Sequence, residues 1–376
     1  MNANTQGRAL NKFTDIANQF ETPGKVIQVE EFGHGNINGT FLVTLDSVEE
    51  KHFILQRINQ NVFREPVLVM RNMTTFSNHV RQRLQDTSLT FNRRWEVPKV
   101  LLTQNNQNHF IDSDNSFWRA IGFIDNAETF DTIADNKHAS EVGYALGMFH
   151  NLISDLPVEN LADTLPGFHI TPIYLKQYEN VLIQYAATGK SPEVEYCLKF
   201  ISTRKDWAHV LENAQMQSRL HLRPIHGDPK VNNVMIDTRD GKAISLIDLD
   251  TVKPGLVHYD IGDCLRSGCN PLGEETEFWE KVSFSTDICE SLLGGYLEVA
   301  RDFLEENDYL YIYDAIRLIA FELGLRFFTD YLAGNVYFKV KHPEHNLARA
   351  LVQFKLTESI EMQESSIRKI ISRKAN

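Results

Sequence analysis

The stretch IHGDPKVNNVMID, Ile225 to Asp237, places His226, Asp228, Lys230, Asn232 and Asn233 directly ahead of the apolar run Val234, Met235, Ile236. Read onward as NVMIDTRDGKAISLIDLD, it offers Asp240-Gly241 as a two-residue hairpin turn between that run and a second one, Ile244 to Ile247. A turn centred there pairs residues whose numbers sum to 481, so Arg239 opposes Lys242 and Asn233 opposes Asp248. Directly opposed side chains have Cβ atoms about 5 Å apart. An amide and a carboxylate at that separation can share one divalent cation, and hard oxygen donors suit Mg2+. A slip of one residue turns the pair to opposite faces.

Asp228 lies five residues before Asn233, in the loop that leads into the hairpin. It can face the metal pair without being a ligand, which is the place for a base acting on an attacking hydroxyl. Lys230 adds a point charge on a flexible stem, suited to a phosphate oxygen. Any one of these residues alone reads as a loop residue capping a turn. Asp, Lys, Asn and Asp around one predicted hairpin read as a site.

Around this segment the composition is that of an ordinary globular chain: 376 residues, 42% hydrophobic and 23% charged. That length suits one large domain or two smaller ones. Fifty acidic against 38 basic residues give a formal charge of −12, which argues against nonspecific nucleic-acid binding, since neutralising phosphates takes clustered Lys and Arg. The one dense basic run, SIRKIISRKAN, reads as a solvated helix end. Cys197, Cys264, Cys269 and Cys289 form no CxxC pair, and Cys264, Cys269, His342 and His345 fit the spacing of a zinc site poorly. The first residues, MNANTQGRALNKF, carry no apolar core segment, and no run reaches membrane-spanning length. A cytoplasmic protein without membrane contact is expected.

The first third alternates as strands do. KVIQVEEFG, TFLVTL, KHFILQRI, EVPKVLL and SFWRAIGFI read as an antiparallel sheet, with Asn38-Gly39 as a hairpin turn and a helix within Pro66 to Leu84. Beyond Asp125 the period becomes helical: Val142, Ala145, Leu146, Phe149, Leu152 and Ile153 share one face of KHASEVGYALGMFHNLI. FWEKVSFSTDICESLLGGYLEVARDFL and YDAIRLIAFELGLRFFTDYLA are the clearest later helices. An α+β chain of two lobes is predicted, a small sheet-rich one over 1–122 and a larger, mainly helical one over 123–376, joined near Ile121 to Asn126, with the ligand between them.

H-x-D-x-x-x-x-N followed by a metal-binding Asp is the catalytic-loop arrangement of kinases. HGDPKVNN with LIDLD resembles the variant found in aminoglycoside phosphotransferases and choline kinases, small-molecule kinases with a bilobal protein-kinase-like fold. The resemblance implies ATP and Mg2+ as cofactors, Asp228 as base, and Asn233 and Asp248 as metal ligands, with Asp250 a further candidate for metal or substrate. It also implies that His226 braces the loop and that Asp260, in HYDIGD, is the structural aspartate beneath it.

GHGNING sets Gly33, Gly35 and Gly39 ahead of a strand-like run, so a hairpin folded over phosphates, with Gly33, Gly35 and Asn36 contributing, fits better than a dinucleotide fingerprint. ATGKS, Ala187 to Ser191, lacks the first glycine of a Walker motif, Gln184 standing in that place, and reads as a loop. The third strand departs from the family pattern. Where a Lys or Arg should reach the nucleotide phosphates, FILQRI has Gln56, and Arg57 points to the other face of a regular strand. Either a bulge presents Arg57, or Gln56 makes neutral hydrogen bonds and the metals carry more of the charge. The partnering helix Glu is not identifiable.

FGHGNINGTFLV, FILQRINQNVF, LIDLDTVKPG and LRFFTDYLAGNVYFK together resemble N-acetylhexosamine 1-kinases over most of the chain. That resemblance implies phosphorylation of the anomeric hydroxyl of N-acetylglucosamine or N-acetylgalactosamine, with sugar contacts at His34, Asp228, Arg326 and Tyr337 and a weaker candidate in Arg266. Arg326 also reads as a helix-surface ion pair and Tyr337 as a core aromatic. A choline or aminoglycoside kinase is the rival within enzymes; a pseudokinase, motivated by Gln56, is the rival outside them.

Overall fold

Alternating sequences build β1 (Val26–Glu31), β2 (Gly39–Leu45), β3 (His52–Ile58), β4 (Val100–Leu101), β5 (Phe110–Ile111) and β6 (Phe117–Gly122). They form one antiparallel sheet in the order β1-β2-β3-β6-β4, with β5 also on β6. The computed structural model describes residues 12–33, 37–85, 93–185 and 191–375. A period of two splits the sheet into two faces. On the outer face Phe41, Val43, Phe53, Leu55, Trp118 and Ala120 pack with Ile16, Ala17 and Phe20. On the inner face Ile58 and Phe117 join the main core with Met73 and Phe76 of α1 (Pro66–Arg83).

The large lobe holds α2 (Asn136–Ile153), α3 (Thr171–Gln184), α4 (Pro192–Ser202), α5 (Val210–Met216), α6 (Val257–Gly268), α7 (Thr286–Ala300), α8 (Glu306–Leu332), α9 (His345–Met362) and α10 (Glu364–Ala375). Glycines let its central pair of helices close up. A Cβ on Gly143 of α2 would stand 1.9 Å from the Leu292 carbonyl oxygen of α7, and one on Gly295 of α7 would stand 1.9 Å from that of Ser140. Two small antiparallel sheets carry the functional loops between these helices: β7 (Ala127–Glu128), β9 (Val234–Asp237) and β10 (Ala243–Leu246) in the order β10-β9-β7, and β8 (Arg223–Ile225) with β11 (Lys253–Gly255). Among the described residues no helix is long and apolar enough to cross a membrane, and no three His, Cys, Asp or Glu side chains are grouped to hold a metal.

Two turn expectations are corrected. Asn38-Gly39 is not the β1–β2 turn: Glu31 pairs with Phe41, and Gly39 already belongs to β2. The β9–β10 turn is not the dipeptide Asp240-Gly241 either. The Asp237 N–H donates to the Lys242 carbonyl at 2.8 Å, which leaves a four-residue loop closed by Gly241 at φ +72°. An irregularity between Ala243 and Ser245 then sets Met235 opposite Ser245 and Val234 opposite Leu246. The ladder is therefore one residue out of the predicted step, and the Ile247 N–H, not that of Asp248, bonds the Asn233 carbonyl at 2.9 Å.

Candidate active site

The catalytic loop runs from β8 to β9 and hangs on one buried carboxylate. Asp260 on α6, fully buried, accepts from the N–H of His226 at 2.7 Å and of Gly227 at 2.8 Å, and from His150 Nε2 at 2.9 Å. Burial alone would raise its pKa; the His150 hydrogen bond and charge outweigh this and hold it below the ordinary carboxylate value. His226 ties the loop to the hairpin, donating from Nε2 to the Ile247 carbonyl at 2.9 Å and accepting the Asp228 N–H on Nδ1 at 3.2 Å. Burial lowers the pKa of this ring, which keeps it a neutral brace. Gly227 sits at φ +87°, and a Cβ there would meet the Thr251 carbonyl oxygen at 2.7 Å.

These bonds deliver Asp228 half-buried at the junction of the lobes. Its Oδ2 pairs with Lys230 Nζ at 3.0 Å, and its Oδ1 has no partner among the described residues. Burial works against the charge on Lys230, but Asp228, Asp248 and Asp263 outweigh it and leave the pKa raised. Lys230 is thus a fixed cation beside Asp228.

Asn233 donates from Nδ2 to the Asp228 carbonyl at 2.7 Å, and its Oδ1 has no partner among the described residues. The step that puts Ile247 opposite Asn233 does not send Asp248 to the wrong side, because Asp248 leaves the strand in the left-handed region, φ +65° and ψ +59°. Its carboxylate makes no hydrogen bond or ion pair among the described residues. The packed walls around it, then the charges of Asp250 and Asp228, push it up to about 7, although the residue itself opens to solvent. Two unpartnered hard-oxygen groups next to a like-charged carboxylate fit a divalent cation. Asp250 is differently placed, its oxygens taken by Arg119 and by Asn38, whose Nδ2 donates at 2.6 Å.

The β2–β3 and β3–β6 ladders are regular through Gln56, so no bulge presents Arg57. Arg57 is exposed on the outer side, its guanidinium 5.9 Å from the Trp118 ring centre, and does not share the inner face with Gln56. Gln56 there bonds Arg119. Gly33, at φ +72°, enters the loop before β2; His34, Gly35 and Asn36, with the ATGKS segment up to Lys190, lie outside the described residues.

The Arg326 guanidinium lies among three rings, 5.1 Å from Phe168, 4.9 Å from Tyr174 and 5.5 Å from Phe338. It has no hydrogen bond or ion pair among the described residues, so it is not a surface ion pair. Burial works against its charge, while Tyr174, Glu322, Tyr337 and Asp228 keep its pKa raised. Tyr337, 49% exposed, is not a core aromatic. Arg266 is buried with its donors on Asp263 at 2.7 Å and Glu274 at 3.1 Å, which gives it a structural ion pair instead of an open face for substrate.

Three positioning groups escape a reading of the sequence. Asp330 gathers the N–H groups of Val336, Tyr337 and Phe338 at 2.8–3.0 Å and so sets the segment that carries Tyr337. His169, at φ +66°, joins the Gly227 carbonyl at 2.7 Å to Glu322 of α8 at 3.0 Å. Arg119 sits in the apolar strand FWRAIG. Only Arg119 left a signal, since a charge amid strand-core residues requires a partner.

A sheet lobe and a helical lobe meeting at an H-x-D loop, with oxygens of Asp228, Asn233 and Asp248 left without partners among the described residues, are the arrangement of a bilobal kinase-like phosphotransferase. The chain belongs to the Phosphotransferase enzyme family (APH), whose model matches residues 28–278. Its fold is similar to that of an aminoglycoside phosphotransferase from Alicyclobacillus acidocaldarius (TM-score 0.60, 13% identity, 96% of each chain covered). It is also similar to a choline kinase from Cryptosporidium parvum (0.57, 14% identity, 97% of this chain and 99% of that one). An amicoumacin kinase, hAmiN, solved with AMP-PNP and Ca2+, is a third likeness (0.56, 13% identity, 96% of each).

Proposed function

We propose that the protein is an ATP- and Mg2+-dependent kinase that phosphorylates the anomeric C1 hydroxyl of an N-acetylhexosamine. Asp228 Oδ1 takes the proton of that hydroxyl, its oxygen attacks the γ-phosphorus, and the bond to the β,γ-bridging oxygen breaks with its electron pair leaving on ADP. Asn233 Oδ1 and Asp248 would hold Mg2+, which when bound neutralises phosphate charge. Lys230 holds the other oxygen of Asp228 at 3.0 Å and so orients the base.

The observation that carries the acceptor class is Arg326. A choline site needs an aromatic cage around a cation. Here the rings of Phe168, Tyr174 and Phe338 already surround the chain's own guanidinium, which repels a quaternary ammonium and offers unpaired donors to hydroxyl and amide oxygens. The N-acetylhexosamine itself is favoured by the sequence resemblance in FGHGNINGTFLV and LRFFTDYLAGNVYFK.

The test is phosphoryl transfer from ATP to N-acetylglucosamine, N-acetylgalactosamine, glucose, galactose and choline, each with and without Mg2+, with phosphorus NMR of the product. A sugar 1-phosphate formed only with Mg2+, and no turnover of the methyl glycoside, is expected. Turnover of choline with none of the hexosamines would end the proposal.

A further inference from the structure

Gln56 on β3 and Arg119 on β6 are direct cross-strand partners on the inner face of the sheet. Gln56 Oε1 accepts from Arg119 Nε at 2.9 Å and from Nη2 at 2.7 Å. Gln56 Nε2 donates to Thr40 Oγ1 at 3.1 Å, which fixes the amide with its oxygen toward the guanidinium. Arg119 is 1% exposed, and an arginine this deep requires a counter-charge. β3 provides none. The helix packed on this face, α1, touches Arg119 through Met73 Sδ at 3.7 Å and contains no Asp or Glu. The lysine–glutamate pair expected of a nucleotide lobe is therefore missing on both sides.

The counter-charge comes from the other lobe. Arg119 Nη1 pairs with Asp250, itself 3% exposed and two residues beyond the open carboxylate of Asp248. The second oxygen of Asp250 is held by Asn38, at the end of the glycine-bearing loop. One cation is thus presented on the face where nucleotide phosphates are expected, oriented by a neutral amide and occupied by a carboxylate. A guanidinium nitrogen that pairs with one carboxylate oxygen in this way can pair equally with a phosphate oxygen.

We propose that Arg119 is the phosphate-binding cation of the nucleotide site, supplied from β6 in place of a lysine on β3, with Gln56 as its positioning residue and Asp250 as the partner that a nucleoside triphosphate displaces. This rests on the phosphotransferase reading above. The competing role for Arg119 is a strut that only joins the lobes.

Calorimetric titration of the full chain with ATP and with adenosine, in Mg2+, separates the two. Arg119→Met should weaken ATP about 10–100-fold, the effect of losing a charge-assisted bond, while adenosine binding stays within about twofold. The double variant Gln56→Lys with Arg119→Met, which returns a cation to β3, should recover most of the ATP affinity. Since Arg119→Met strands Asp250, Gln56→Leu is the second probe: it keeps the ion pair and should weaken ATP about 3–10-fold with adenosine unchanged. An unchanged ATP-to-adenosine affinity ratio in folded Arg119→Met, or in Gln56→Leu if the former does not fold, overturns the proposal and leaves the strut. If such variants keep the ratio while the wild type transfers phosphate, this inference alone falls. A wild type that binds ATP no better than adenosine removes the phosphotransferase reading and this inference together.

Discussion

In the catalytic loop, Asp228, Lys230 and Asn233 are near neighbours in the chain and hold one another by short-range bonds. On the sheet face, Gln56 and Arg119 stand 63 positions apart and meet only because β3 pairs with β6. One half of the site is written locally, the other by topology. The loop half has its backbone fixed from beneath by Asp260, whereas the sheet half has its cation fixed from across the lobe junction by Asp250. With the proposed roles, damage should separate: changes in the loop should stop transfer and spare nucleotide binding, and changes on the sheet should weaken nucleotide binding and leave transfer at saturating ATP largely intact.

The largest effect tests that separation directly. Asp228→Asn keeps the shape of the loop and removes the proposed proton acceptor, so turnover should fall about 10²–10⁴-fold. Calorimetry should find ATP affinity within about threefold of wild type, the size of one lost weak contact; a parallel loss of affinity would merge the two halves. Next in size, Asp260→Ala leaves two N–H groups and His150 without their acceptor. Chemical denaturation should register a loss of about 3–5 kcal/mol, the effect of breaking a buried charged network.

A third change addresses the acceptor side. With Arg326 in the proposed acceptor site, Arg326→Met should raise KM for the acceptor about 10–100-fold, as expected for removed charged hydrogen bonds, with ADP affinity unaltered. Equal weakening of sugar and ADP would place Arg326 outside the acceptor pocket. A last effect lies under the loop, where Glu212 accepts the Tyr259 hydroxyl at 2.8 Å and burial pushes its carboxyl up to about 7. The folded chain then holds this proton in the range where the unfolded chain has released it. Stability should decline as pH rises from the ordinary carboxylate value to about 7. Glu212→Gln should flatten that part of the stability profile; an unaltered slope would assign it to other groups.

The loop half was largely legible because its chemistry is dense in one stretch. HGDPKVNN and LIDLD carry the residues, and Asp260 follows by resemblance. The register was not legible: Asp240-Gly241 mimics a two-residue turn, but Gly241 closes a longer loop and an irregularity shifts the strand. Asp248 reaches the site by a left-handed residue, which no alternation pattern encodes. On the sheet half, strand types and order could be read from alternation, yet the partner of Gln56 could not, since only pairing in space brings Arg119 beside it. Arg266 misled for the opposite reason: an arginine near a site motif looks available until Asp263 and Glu274 are seen to hold it.

Asp330 has one more consequence. Because a single carboxylate collects the amides of three successive residues, Val336 to Phe338, one side chain fixes the placement of both the Tyr337 ring and the Phe338 wall of the Arg326 enclosure. If Arg326 lines the acceptor site as proposed, the wall of that site is set from Asp330, a residue with no bond to the H-x-D loop among the described residues, so acceptor preference can be altered there while the loop is left as it is.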